Sequence, residues 1–309
     1  MFRPKINLKK LKKLNSSGRV LTDVDFNDLC TFKCGGKAKI VVEIPTLDNF
    51  FKVMFYLEKI NAQVFVLGAG SNVLCSDKGF DGVIIKLIGD FARIEFDDEI
   101  LECGCGVRLI NAFVTARDLS LKGLEGGAGI PATVGGATYM NAGAFDFEMA
   151  KVIDYVVAYV DGKITYFTRE ECGFGYRESI FQHNNAIILR VGLRLEADDK
   201  DEIQKKYLEL TKKRTNSQPL EYPSAGCVFK RQENIVISKL LDDCGLKGLT
   251  LGGAKVSNKH ANFIINTGKA TSQEIYELIK VIKKRVWDKA QIEINTEIKF
   301  LGEFDEDTW

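Results

Sequence analysis

The chain has 309 residues, 45 % hydrophobic and 28 % charged, with a net charge of +1 at pH 7. That length leaves room for two or three units, and the near-zero charge excludes a global basic field for nucleic acid. No run of about 18 apolar residues occurs, so no membrane-spanning helix is expected. Eight scattered cysteines without a targeting signal point to reduced thiols in a cytoplasm. No CxxC pair occurs, and His183 and His260 are the only histidines. No metal site is expected on that ligand set.

The basic N-terminus (Arg3, Lys5, Lys9, Lys10, Lys12, Lys13) lacks the apolar stretch of a signal peptide. A solvated arm or a short surface helix is expected there. Residues 31–38 form a turn-rich entry. A strand over 40–44 stops at Pro45, and a helix over 47–60 carries Leu47, Phe50, Phe51, Met54 and Leu57 on one stripe. A strand over 64–67 runs into GAGSNVL at 68–74. Strand, helix, strand and glycine turn is how α/β folds present a phosphate site. The Rossmann fingerprint fails, because Val73 stands where the third glycine belongs and no helix pattern follows. A Walker A loop is absent as well.

Strands are expected over 83–88, 93–96 and 101–105, then a helix over 109–121. Residues 126–145, GGAGIPATVGGATYMNAGAF, include six glycines. No period of 3.6 or 2 runs through them, so neither an ordinary core helix nor a strand is expected. Glycine lets backbone N–H groups approach a ligand closely, and clustered N–H groups bind anions. Ile130, Pro131, Val134 and Met140 give the segment an apolar side, which suits a flat cofactor carrying a pyrophosphate. A tight loop buried by packing is the alternative. Strands over 152–160 and 163–168 follow, joined by the hairpin dipeptide Asp161-Gly162. A turn at 173–179 and a strand over 186–195 close this part.

Beyond the charged 198–200 lie a helix over 201–214, a turn-rich 218–226, a helix over 235–244, and strands over 252–255 and 262–266. Thr271-Ser-Gln-Glu274 is a capping box. It opens a helix with Ile275, Leu278, Ile279, Ile282 and Val286 on its stripe, and the last strand is expected over 292–300.

Three polar residues stand where chemistry is possible. Arg177, in GYRESIF, presents a planar fork matched to carboxylates; a surface ion pair is the alternative. Cys227, in PSAGCVFK, is a thiol beside cations that can donate a proton, or else a small buried cysteine. Glu297, in EINTEIKF, falls opposite the face of Ile294, Ile298 and Phe300, and a solvated strand carboxylate would look the same. Lys230 and Arg231 are basic residues of the kind that meets phosphates, or else a solvated surface pair. His260 is read as structural.

The blocks GAGSNVL, GIPATVGGATYMNAGAF, GYRESIF, PSAGCVFK, HANFIIN with KAT, and EIKFLGE occur in this order. Together they resemble the UDP-N-acetylenolpyruvoylglucosamine reductase family, from about residue 26 to residue 303. The short spacing from Arg177 to Cys227 is similar to the branch without an extra substrate-covering loop. The resemblance implies an α/β (α+β) chain with a two-part FAD-binding unit of the vanillyl-alcohol-oxidase type and a C-terminal α+β substrate domain. The expected division is 1–85 with strand 297–309, 86–197, and 198–296. It implies non-covalent FAD, NADPH as hydride donor, and reduction of an enolpyruvyl UDP-sugar in peptidoglycan precursor synthesis. The catalytic residues carried over are Arg177, Cys227 and Glu297. Cys227 stands where the family has a serine proton donor. The FAD contacts carried over are Gly68, Ala69, Gly70, Ser71, Asn72, Gly129, Ile130, Pro131, Val134, Gly135, Asn141 and Gly143. Tyr176, Lys230 and Arg231 are the substrate contacts. A cytoplasmic monomer without nucleic-acid or membrane partners is expected. Another FAD-dependent sugar or alcohol oxidoreductase on the same fold, or a non-catalytic nucleotide-binding protein, are the alternative readings.

Overall fold

The computed structural model describes residues 5–97 and 99–305, so Arg3 lies outside the described residues. The fold is mixed α/β. One four-stranded sheet has the order Arg19–Asp25, Lys37–Ile44, Phe80–Leu87, Val64–Val66. The chain forms two compact units: Met1–Leu21 with Val41–Ala69 and Gly82–Lys213, and Thr22–Ile40 with Gly70–Asp81 and Arg214–Trp309.

In the first unit the basic N-terminus folds as a helix, Leu8–Leu14, capped by the Asn7 side chain. Leu11 is fully buried, Lys10 lies 4.6 Å over the Tyr56 ring, and the Asn7 N–H donates to Tyr56 Oη at 2.9 Å. Tyr56 belongs to the helix Leu47–Lys59, whose buried face is Asn49, Phe50, Val53, Met54, Tyr56 and Leu57. That face is rotated from the expected stripe. Phe51 stays 36 % exposed, and its ring meets Tyr159 edge-on at 5.9 Å. Val64–Val66 pairs in parallel with Phe80–Leu87, Phe65 opposite Ile84. Such a pairing needs a crossover, and residues 67–79, with the glycine turn and the strand Val73–Cys75, supply it.

The five-stranded sheet of this unit is antiparallel, in the order Lys163–Thr168, Ile153–Val160, Ile187–Arg194, Ile100–Gly104, Ile94–Asp97. The Asp161-Gly162 turn has φ of +47° and +81°, the paired left-handed values that match a two-residue hairpin to strand twist. The helix over 109–121 ends early, at Asp118. The glycine-rich segment departs from expectation: Val134–Tyr139 is a short helix, with Thr133 as its cap.

The second unit is built on the helix Ser272–Ala290. Ile275, Leu278, Ile279, Ile282 and Val286 are each 2 % exposed or less. They share one core with Phe32, Leu74, Phe229, Ala254 and Ile264. Burying each such side chain contributes about 1.5–3 kcal/mol. The capping box at Thr271 and Glu274 is formed as expected. The three-stranded sheet runs Thr250–Leu251, Ala254–Val256, Ile264–Asn266. The final strand is shorter than expected, Lys299–Leu301, and pairs in parallel with Val73–Cys75. Residues 292–297 are not a strand, because Thr296 makes only an isolated bridge to Phe229.

Candidate functional site

Residues of the glycine-rich segment hold the first unit's candidate site. The Thr133 side chain accepts from the Gly136 N–H at 3.2 Å and so starts the helix Val134–Tyr139. Gly135 lets that helix lie flat on Cys105, since a Cβ there would sit 2.6 Å from Cys105 Cβ. The turn after Val64–Val66 meets the same cap: a Cβ on Gly68 would lie 2.6 Å from Thr133 Oγ1. Two blocks 65 positions apart in the sequence therefore share one point in space. Among the described residues, the turn at 68–72 is held through its carbonyls and leaves its N–H groups out of those bonds. Gly70 O accepts from the Thr31 N–H at 3.1 Å, and Asn72 O from the Lys299 N–H at 2.9 Å. The N–H groups of Val134 and Gly135 are occupied, by Val107 O at 2.7 Å and Cys105 O at 2.9 Å. These two residues give the segment its shape rather than donors. Pro131 and Gly129 are exposed, and Ile130 is half-buried.

Arg177 sits in a tight turn closed by Gly175 and Glu178, whose N–H groups donate to each other's carbonyls at 3.1 and 3.2 Å. Its backbone is left-handed, φ +56°. The guanidinium donates from Nη2 to Gly143 O at 2.7 Å and from Nη1 to Asn141 O at 3.4 Å. Asn141 is 1 % exposed and locks the turn from the other side. Its Nδ2 donates to Gly175 O at 2.7 Å, and its Oδ1 accepts from the Ala150 N–H at 2.9 Å. Tyr176, 43 % exposed, lies with its ring 5.0 Å from the Arg177 guanidinium carbon. Asn141, Gly143, Tyr176 and Arg177 are thus one cluster.

Cys227 and Glu297 lie in the second unit. Gly226, at φ +76°, turns the chain, and Cys227 then bridges to Phe263. Asn262 holds the next residues with both ends of its amide, accepting from the Phe229 N–H and donating to Phe229 O, each at 2.9 Å. On the other side the Glu297 N–H donates to Val228 O at 2.7 Å, and the Lys230 N–H to Asn295 O at 2.8 Å. Asn72 Nδ2 donates to Glu297 O at 3.2 Å. Cys227, Glu297, Lys230 and Asn72 are therefore tied into one small ladder. Arg231 is exposed.

Two residues of this ladder's surroundings were given no role by the sequence. Asn262, inside the HANFIIN block, is one. Arg214 is the other: it is 8 % exposed, burial holds its guanidinium below the ordinary value, and the charge of nearby Cys227 opposes that shift. An arginine among the lysines of a charged helix reads as solvated until the fold is known.

Comparison with known proteins bears on both units. A model of the C-terminal domain of UDP-N-acetylenolpyruvoylglucosamine reductase matches residues 218–301, and an FAD binding domain model matches 38–165. The enzyme of that name from Alkaliphilus oremlandii is 39 % identical over 296 residues, 96 % of this chain and 97 % of the relative. The chain belongs to the UDP-N-acetylenolpyruvoylglucosamine reductase family. The reductase of Syntrophomonas wolfei is 38 % identical over 92 % of this chain and 96 % of its own. The crystal structure of the Thermus caldophilus reductase of this family superposes with a TM-score of 0.79 at 33 % identity, covering 92 % of this chain and 99 % of that one.

The backbone fits the cofactor named by the family's FAD binding domain. A pyrophosphate needs clustered donors without side chains in front of them, and in the first unit Gly68 and Ala69 open the turn beside Thr133, the cap of the helix Val134–Tyr139. Gly70 has φ +67°, and a Cβ there would run into Leu29 O. Any other residue would cost the turn its geometry.

Proposed function

We propose that the chain catalyses NADPH-dependent reduction of UDP-N-acetylglucosamine enolpyruvate to UDP-N-acetylmuramate, in peptidoglycan precursor synthesis. It is an FAD-dependent oxidoreductase of its family. The observation that carries the reading is the likeness to reductases along nearly the whole chain, joined to the Arg177 and Glu297 blocks and to the PSAG and VFK flanks of Cys227. Gly68 to Asn72, Gly129 to Pro131, Val134, Gly135, Asn141 and Gly143 would hold FAD. When bound, FAD supplies hydride transfer from NADPH to the vinyl carbon of the substrate.

The chain's own residues supply the rest. Hydride addition to an enolpyruvyl group moves negative charge toward the carboxylate, and a proton must then reach the neighbouring carbon. Arg177 takes the carboxylate in its fork, an interaction that strengthens as charge develops. The backbone carbonyls that already hold two of its N–H groups fix its plane and do not compete as anions. Cys227 delivers the proton from Sγ, and a thiol, with its reference pKa near 8.5, gives up that proton more readily than a serine hydroxyl. Glu297 assists by sharing a proton with the charged intermediate. Tyr176, Lys230 and Arg231 bind the sugar nucleotide, the cations meeting its diphosphate. In this reading the protein is a cytoplasmic monomer; no helix among the described residues is long and apolar enough to cross a membrane.

The test is an anaerobic stopped-flow pair that follows flavin absorbance. NADPH bleaches the flavin, and the enolpyruvyl UDP-sugar restores the colour. Bleaching without restoration by this substrate would reject the assignment.

A further inference from the structure

We propose that Gln182 is a positioning residue that acts through Arg177. The inference rests on the reading of Arg177 as the arginine that meets the substrate carboxylate. Arginine rarely adopts a left-handed backbone, yet Arg177 has φ +56°. Something must hold it there. Gln182, half-buried at the end of the short 3-10 turn Ile180–Gln182, donates from Nε2 to Arg177 O and to Tyr139 O, both at 3.0 Å. An amide nitrogen has two hydrogens, and both are spent on these carbonyls. Tyr139 ends the helix Val134–Tyr139, and its carbonyl also accepts from Ser179 Oγ at 2.7 Å.

The geometry makes a two-ended fastening. Gln182 ties the Arg177 backbone to the carbonyl of Tyr139. The Arg177 guanidinium grips the carbonyls of Asn141 and Gly143, two and four residues further along the same segment. If the peptide of Arg177 turns, its head loses register with those carbonyls. Both carbonyls that Nε2 meets are acceptors, so only a donor works at that end of the side chain. A carboxylate of the same shape would face two carbonyl oxygens and repel them.

The decisive variant is therefore Gln182→Glu, with Gln182→Lys as the donor-restoring control. In Gln182→Glu we expect the enolpyruvyl UDP-sugar to reoxidise the reduced enzyme about 10–100-fold more slowly. The rate of flavin reduction by NADPH, the FAD content and the melting temperature should stay at wild-type values. Gln182→Lys should recover most of the loss. In an Arg177→Ala background, Gln182→Glu should cost nothing further, as required of residues that act through one another. The same loss in that background, or an equal fall in both half-reactions, would make Gln182 merely structural and overturn the proposal. If Gln182→Glu does not fold, Gln182→Leu carries the same comparison. A crystal structure of the variant decides independently of turnover. We expect Arg177 to leave its left-handed backbone or lose Gly143 O, and an unmoved Arg177 overturns the proposal. Wild-type enzyme that is not reoxidised by this substrate would reject the proposed function instead, and the crystallographic arm would still stand.

Discussion

A thiol that donates a proton must keep it until the carbon needs it, and the other cysteines show what burial does to that balance. Burial pushes the Cys103, Cys105 and Cys172 thiols up to about 12. Among the eight, only Cys227 and Cys244 are half-buried rather than buried. Because the thiolate is the nucleophile, mild alkylation of the native protein should modify these two and spare the rest, as peptide mass mapping would show. Cys227→Ser should keep turnover, whereas Cys227→Ala should lose most of it and still bleach with NADPH. Equal turnover in Cys227→Ala and wild type would remove Cys227 from the donor role. Arg177→Lys keeps the charge but not the fork, so its kcat should fall about 10²–10³-fold, measured as the rate of reoxidation by the enolpyruvyl substrate.

Elements differ in how plainly the sequence announces them. The helix Ser272–Ala290 was legible because its cap and stripe are both local. Its start is held further by Asp77, whose carboxylate accepts from the Ser272 and Gln273 N–H groups at 3.0 and 2.8 Å. Thr271→Ala should cost about 1 kcal/mol in urea unfolding. The helix Val134–Tyr139 was not legible. Its glycines oppose helix formation, and it exists because Thr133 caps it and Cys105 receives it, neither of which shows as a period. The strand Lys299–Leu301 was expected to start seven residues earlier, on the strength of alternating apolar residues. Ile294 and Ile298 are indeed buried, but Phe300 is 36 % exposed, so the alternation there was not a single face. Within the candidate site, the blocks of Arg177, Cys227 and Glu297 could be recognised by motif. Gln182, Arg214 and the role of Asn262 could not, since each acts through partners that only the fold identifies: backbone carbonyls for Gln182 and Asn262, and the charge of Cys227 for Arg214.

At the scale of the molecule, one half-buried histidine gives stability a pH dependence. Burial, aided by the charge of Lys247, holds His260 below its ordinary 6.5, and its Nδ1 has no hydrogen-bond partner among the described residues. Between the folded and unfolded values the unfolded chain holds more protons. The contribution is thus fully present above about pH 6.5 and is lost as the pH falls toward the folded value. The urea midpoint should drop on acidification from about pH 7 to about pH 5, and His260→Gln should flatten that slope.

The parallel pairing of Lys299–Leu301 with Val73–Cys75 also sets a clock on biosynthesis. Asn72 waits for Glu297 across 225 positions, which a ribosome takes about 10 to 45 s to translate. Throughout that interval the turn at 68–72 and the strand after it lack the neighbour that fastens them. A nascent chain arrested before residue 297 should therefore be cut by protease within residues 68–81, and one released after residue 303 should resist. The glycine turn is encoded early but completed only when these late residues emerge.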